Sequence, residues 1–559
     1  MFWIALIWPG RLGLAPILSG CCVMCISGLW LNRNDLKPRP QGVAAFTALS
    51  HRTQLELALV VTILSACTGI LFGSLYWPFE NFLALTIYAP IAKEIFISRA
   101  LTAGFNVHEV YPALLQLGYA FTYYACSSVN EYLAKLITAL MAIGSLGVAA
   151  ALGREMRSMR AGIVAAGLVA LTPLFCKSVS TGNADIPGSF YFSLTALFAW
   201  QWWRDRGNKN AILTGMMTGF TMWTKNTTLV LPITIGLWIA ANLRTSRIPW
   251  KQIGLFTIAI LATAAPWYLR NLIVFHYLIP PQIWEFAAPR TQRTFAMLLA
   301  MTWDWIAFGG IGIIYTAAIA FSAIQFVRKR ELESRALWGL LLTMVLPFYF
   351  AWWWLASYEV RFLVLIVPLL AVMAALMLED ALAVLMTNVS VAWVNRIGRI
   401  AICSVLILAP LSIRKTVSYK GAILSRPFMD DSEKHRIVLG GIYDLGIAID
   451  HLPAGSRIVG VPPTAFYHID SHRFKEISDL KMNTAPGTLK DRYDYVVYTF
   501  DDKQRPGWLQ NCEPLLQTKD GYFLYSVRPA RFISRPNNSL HPTADKYQKC
   551  SEDDGQAQR

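Results

Sequence analysis

Charge is scarce in this sequence. Of its 559 residues only 15% are Asp, Glu, Lys or Arg, against about 25% in a soluble globular chain. The shortage comes in blocks: 55–77 and 362–386 hold almost no ionisable side chains, the pattern of membrane-spanning helices. That pattern excludes a soluble enzyme, a disordered chain and a nucleic-acid binder. The net charge of +16 does not reopen the last option, because Lys and Arg cluster in short loops between apolar blocks. Such clusters mark cytoplasmic loops facing anionic lipid. Also missing are a paired CxxC motif, a phosphate-binding glycine loop, an ATPase motif and an internal repeat. Seven of the nine cysteines (Cys21, Cys22, Cys25, Cys67, Cys126, Cys176 and Cys403) lie in or beside apolar segments, and only Cys512 and Cys550 fall in the polar tail. This spacing supports no structural zinc and reads as small buried hydrophobes.

What is present is apolar: 55% hydrophobic residues, 29 Phe and 20 Trp, with a mean hydropathy of +0.42. Apolar blocks fall near 13–31, 55–76, 131–151, 161–176, 187–203, 211–224, 226–243, 253–275, 303–327, 336–355, 362–387 and 400–413. The Arg- and Lys-rich loops 153–160, 204–210, 244–251 and 328–335, placed in the cytoplasm, put 177–186, 276–302, 356–361 and everything after 414 outside. The basic stretch 32–52 reads as cytoplasmic, so 111–127 becomes an amphipathic or re-entrant helix within a long first external loop, 77–130. Its Tyr111, Tyr119, Phe121, Tyr123 and Tyr124 suit the headgroup belt. An ordinary hairpin with the opposite amino-terminal topology is the alternative. Block 13–31 is a signal anchor or an extra helix, and no cleavage is expected because the apolar part of 2–9 is too short.

After 413 the composition changes. Residues 414–530 have ordinary polarity, with short strands expected in 452–461, 493–500 and 521–527. The expected organisation is an amino-terminal helix and linker (1–54), an all-α polytopic core of about 11–13 membrane helices (55–413), a small external α/β domain (414–530) and a disordered tail (531–559).

Ionisable groups at the ends of apolar blocks are functional candidates. Asp185 precedes Pro187 at a helix start, where it serves as a cap or as an acid. Lys225, in WTKNTT, either snorkels or pairs with an anion. Arg270, in PWYLRN, has reach to an external phosphate, and His276, Glu285, Arg290 and Arg293 follow it. Glu359 and Arg361 share a short external turn, as an interfacial pair or as part of a site. Lys225, Arg270, Arg361 and Lys93 form a cationic set with the acids Glu80, Asp185 and Glu359 beside it. Cations at that depth suit a lipid-linked phosphate, and a neighbouring carboxylate suits a general base.

The order of these pieces resembles the GT-C glycosyltransferases that use polyprenyl-phosphate sugars, the superfamily of protein O-mannosyltransferases and lipid A aminoarabinose transferases. Bacterial relatives with a WDAxxIW…AK opening are particularly similar. The matching pieces are FLALTIYAPIAKEIF (82–96), HEVYPALLQLGYAF (108–121), NEYLAKLITAL (130–140), STGNADIPGSFYF (180–192), GFTMWTKNTTLVL (219–231), PWYLRN (266–271) and EVRFLVLIVPLLAV (359–372). The resemblance implies an enzyme, a hexosyl- or pentosyltransferase of the cell envelope in the bacterial inner membrane. Its partners would be a polyprenyl-phosphate-linked sugar donor, a glycan, lipid or protein acceptor, and membrane lipid, with no nucleic acid. A first-loop carboxylate would act as base, and displacement would invert the anomeric centre. Cations would hold the phosphate, with a divalent metal in some members. Asp185 would be the second-loop acid, Lys225 the TKN lysine and Arg361 the late-helix arginine; Arg270, Lys93, His276 and Tyr111 are placed on the substrate side by the reading of the residues themselves. The family's first-loop Asp is missing: Phe82, Leu83 and Ala84 stand there, with Glu80, Glu94 and Glu109 nearby. Three outcomes stay open: Glu80 takes the role, Asp185 acts alone, or catalysis is lost. A transporter or flippase for a lipid-linked sugar is the reading from another class.

Overall fold

The computed structural model describes residues 51–101, 111–246, 248–279, 287–388, 390–478, 492–499 and 513–527, with 13, 15, 17–19, 22 and 281. Most of block 13–31, the tail 531–559, Glu109 and Glu285 lie outside the described residues. The chain divides into two compact units, 1–76 with 91–418, and 77–90 with 419–559. The stretch 77–90, expected within the first external loop, therefore groups with the carboxy-terminal residues.

The first unit is helical: α1 (His51–Tyr76), α2 (Ala89–Ser98, from Ile91 on), α3 (Leu114–Cys126), α4 (Glu131–Met156), α5 (Met159–Leu171), α6 (Pro173–Val179), α7 (Asp185–Asp205), α8 (Asn208–Met222), α9 (Leu231–Ser246), α10 (Trp250–Phe275), α11 (Ile311–Arg328), α12 (Leu332–Leu355), α13 (Val367–Asn388) and α14 (Val391–Ile413). Seven stretches are long and apolar enough to cross a membrane: Gln54–Tyr76, Glu131–Met156, Trp250–Phe275, Ile311–Arg328, Leu332–Leu355, Val360–Asn388 and Ala392–Thr416. The bent pair α5–α6, broken by 68° where Pro173 starts the second helix, makes up to eight. The chain is an integral membrane protein. The expected 11–13 also counted the shorter blocks that form α7, α8 and α9 here.

Burial sorts these helices. The span containing α13 has 83% of its most apolar window inside the protein, that containing α14 only 17%. A segment apolar all round belongs at a core, and α13 packs against α5, α11 and α4. Helices α8 and α10 lie close because Gly215 and Gly219, one turn apart, face Phe256 and Thr263; a methyl at either position would collide with them. Small residues at this spacing let membrane helices approach through their backbones.

Polar caps mark the helix ends. Asn130 accepts from Leu133 N at 3.0 Å to start α4, and Ser158 from Ala161 N at 3.1 Å to start α5. At the end of the unit holding the basic loop 153–160, Arg157 meets Asp380 at 2.6 Å and Glu379 at 3.7 Å, Arg160 meets Glu56, and Arg204 meets Glu155 at 3.4 Å. Because α7 runs from Asp185 to Asp205, the Asp185 end is the opposite one. Helix α3 is only 13 residues long, too short to cross a bilayer. Protein rather than lipid covers three of its rings: Tyr119, Tyr123 and Tyr124 are buried, while Tyr111 and Phe121 are half-buried. Tyr119 donates to Gly182 O at 2.7 Å and Tyr124 to Ile95 O at 2.8 Å. Amphipathicity reports an apolar face but not whether lipid or protein covers it.

The second unit is α/β. Its sheet runs in the order β2-β1-β3-β5-β4, from β1 (Arg457–Val459), β2 (Glu476–Ser478), β3 (Tyr495–Thr499), β4 (Leu516–Gln517) and β5 (Tyr522–Ser526). Strand β1 is parallel to β2 and β3, and the β3–β5 ladder is antiparallel with Val497 opposite Leu524. β1, β3 and β5 fall in the three expected segments. The edge strands β2 and β4, three and two residues long, are too short to leave an alternation pattern.

Candidate functional site

Three sequence pieces distant along the chain meet in the first unit. Asp185 opens α7. Lys225 sits in the turn between α8 and a 3₁₀ helix, Asn226–Val230. Arg361 lies in a second 3₁₀ helix, Val360–Ile366, started by Glu359, whose carboxylate accepts from Arg361 N at 3.3 Å. Ser189 on α7 donates to Val364 O at 3.0 Å, fixing the first piece to the third. Thr228 donates to Thr221 O at 2.6 Å and Lys225 O at 2.7 Å, holding the lysine turn. Gly188 permits the approach, since a Cβ there would stand 3.0 Å from Leu365 Cδ1 and 3.3 Å from Thr224 Oγ1.

The result is a buried ionic cluster. Lys225 Nζ donates to Asp185 Oδ1 at 2.5 Å, and Arg361 Nε lies 3.2 Å from Asp185 Oδ2. The second contact is one of charge without hydrogen-bond alignment, for neither atom has a hydrogen-bond partner. Glu359 Oε2 is 3.9 Å from Arg361 Nη2. The Glu359–Arg361 pair is therefore present, but the closer partner of Arg361 is Asp185. Side-chain exposure is 3% at Asp185, 11% at Lys225 and 21% at Arg361. Lys225 Nζ also stands 3.8 Å over the Phe362 ring, a cation–π contact strengthened by desolvation. Burial pushes the Lys225 ammonium below the ordinary lysine value, Asp185 opposes that shift, and Arg361 adds to it.

Beside the cluster is a cavity of about 220 Å³. Lys225, Asn226, Thr227, Tyr111 and Tyr358 supply its polar lining. Apolar groups from the 3₁₀ turn, α12 and Phe362 make most of the remaining wall, among them Leu229, Phe348, Trp352 and Leu355. Burial raises the Tyr111 phenol above the usual tyrosine value, as does Tyr358, while Arg361 lowers it; the two phenols and the guanidinium share one neighbourhood. No Asp or Glu lines this cavity among the described residues. Asp185 instead lines a smaller adjoining pocket, and Lys225 borders both.

The other candidates sit elsewhere. Arg270 lies 5.0 Å over the Trp267 ring and donates to Asn271 Oδ1 at 3.3 Å. His276 caps α10 in the left-handed region, with φ 62°. Lys93 is on α2, half-buried. None of the three lines the cavity. Glu80 belongs to the second unit, near Tyr419, whose phenol is raised by burial and then by the Glu80 charge. Asn226, Tyr358 and Phe362 were not singled out from the sequence, although each adjoins a residue that was. The present donors do not suit a divalent metal: both Asp185 oxygens face cations, and no three His, Cys, Asp or Glu residues gather among those described.

Residues 110–268 match the family model for dolichyl-phosphate-mannose-protein mannosyltransferase, a stretch that includes Tyr111, Asp185 and Lys225. No curated protein matches in sequence. Among solved structures, ArnT from Cupriavidus metallidurans bound to undecaprenyl phosphate superposes with a TM-score of 0.59 at 14% identity, covering 84% of this chain and 98% of that one. The Archaeoglobus fulgidus oligosaccharyltransferase tethered with an acceptor peptide gives 0.52 at 15% identity, covering 79% and 69%. The expected resemblance is borne out in the fold: the chain has the fold of the GT-C membrane glycosyltransferases.

Proposed function

We propose that this protein is a membrane glycosyltransferase that moves a sugar from a polyprenyl-phosphate carrier to a glycan, lipid or protein acceptor on the non-cytoplasmic face. The observation that carries this reading is the mixed cavity lining: Lys225, with Arg361 behind it on the same aspartate, among aliphatic and aromatic walls. That lining matches an amphiphile with an anionic head and an apolar tail. In such surroundings a cation attracts phosphate far more strongly than in water. The relatives support the choice of carrier, since the ArnT structure holds undecaprenyl phosphate. The basic loops, at the end opposite Asp185, support this sidedness.

In this reading Lys225 and Arg361 take the leaving phosphate. Asp185 holds the two cations in register before the donor arrives. As they turn to the phosphate, its oxygens become free to accept the acceptor's proton. Glu80 is the other candidate base. The absence of a carboxylate from the described cavity wall also favours a second reading, a protein that binds the carrier without turnover. Transfer from a polyprenyl-phosphate sugar, assayed in membranes, separates them. D185N abolishes transfer while the protein still inserts, E80Q abolishes it only if Glu80 is the base, and wild-type protein inactive with all donors despite binding the carrier supports the second reading. Transfer at the wild-type rate by D185N overturns the site.

A further inference from the structure

Asn226 is a polar residue of the cavity left unused by the reading above. It lines the wall next to Lys225, and neither its Oδ1 nor its Nδ2, both buried, has a hydrogen-bond partner. Buried polar atoms in folded proteins are nearly always satisfied, and a carboxamide left bare on both sides is costly. At a cavity wall a ligand group can supply the missing partner. The chemistry of the amide narrows which one. It offers one acceptor and two donors side by side, whereas a phosphate is acceptor-only and would set its oxygens against Oδ1. A sugar hydroxyl or acetamido group, which both donates and accepts, satisfies the amide.

Position narrows it further. If Lys225 grips the phosphate on the anomeric carbon, the neighbouring residue faces the part of the sugar nearest that carbon. We infer that Asn226 reads the C2 substituent of the donor sugar, making it a specificity-determining residue of the same site. This rests on the polyprenyl-phosphate donor reading, and the experiment tells the two apart.

Full-length protein in lipid nanodiscs is titrated with sugar-free undecaprenyl phosphate and with its glucosyl, mannosyl and 2-deoxyglucosyl derivatives. The last lacks the C2 hydroxyl of both epimers. Wild type is expected to bind its better C2-hydroxyl donor about tenfold more tightly than the 2-deoxy compound. In N226A that ratio falls to about one, while undecaprenyl phosphate binds within about twofold of wild type. Where N226A does not fold, N226S carries the same comparison. A ratio that persists in the variant, a wild type indifferent to the C2 group, or carrier affinity falling in step with donor affinity overturns the inference alone. A wild type that binds none of the four probes overturns the donor reading with it.

Discussion

The two ends of the helical unit are built from the same ingredients and differ in what surrounds them. At one end Arg157, Arg160 and Arg204 pair with acids while their own side chains are about half exposed, at 53%, 47% and 45%. At the other, Lys225 and Arg361 converge on a single aspartate that is 3% exposed. Exposed pairs contribute about 0–1 kcal/mol, because water and salt screen them. A buried pair adds little net stability over apolar packing, yet removing one partner costs about 3–5 kcal/mol by stranding a charge. The exposed pairs can be lost cheaply. The buried cluster persists against a desolvation cost, a cost that the proposed phosphate-binding role would account for.

The sharpest break in that comparison is D185A. It strands two buried cations together, so a loss of about 3–5 kcal/mol is expected, read as a fall in thermal midpoint in detergent. Stability is partly recovered when the cations are given another anion. Adding undecaprenyl phosphate should raise the midpoint of D185A more than that of wild type, whose cations Asp185 already occupies. If D185A melts with wild type, the cluster carries none of the energetic weight assigned to it.

K225M comes next. It keeps the length of the side chain and the Phe362 contact but removes the charge-assisted bond to a phosphate. Such bonds are worth about 1.5–3 kcal/mol, or about 10- to 150-fold in affinity for undecaprenyl phosphate. K225R should retain part of it, since a guanidinium also binds phosphate. Equilibrium binding in nanodiscs gives both numbers. Equal affinity in wild type and K225M would move the phosphate away from this turn.

Much of this was legible in the sequence because a membrane chain spends its few charges sparingly. Asp185, Lys225 and Arg361 each stood at the edge of an apolar block, and the order of motifs gave the fold. The same rule did not separate them from Arg270 and His276, which also sit near helix ends. Arg270 lies against Trp267, and His276 ends α10 by adopting a left-handed backbone. Neither fact leaves a mark in composition or spacing. The cavity was illegible for a related reason. Its walls join the 226–230 turn to α12, more than a hundred residues away, and apolar residues that line a cavity read the same as those that face lipid. The tyrosines of α3 show the converse: an interfacial pattern that the fold buries.

The smallest effect expected is at the opposite end, and it tests the contrast most directly. R157A removes contacts to Asp380 at 2.6 Å and Glu379 at 3.7 Å, shorter on average than the Arg361–Asp185 and Arg361–Glu359 contacts at 3.2 and 3.9 Å. Judged by distance, it should hurt at least as much as a change in the buried cluster. Judged by burial, it should cost under about 1 kcal/mol, leave transfer unchanged, and cost less still at high salt, where screening has already weakened the pair. Thermal midpoints of R157A and R361A, measured side by side at low and high ionic strength, decide between the two. A salt-sensitive, small loss for R157A beside a salt-insensitive, larger one for R361A means that exclusion of water, rather than proximity of charge, distinguishes the two ends. Equal losses with equal salt dependence would show that the buried cluster is as wet as the surface, and the phosphate-binding role assigned to Lys225 and Arg361 would lose its physical basis.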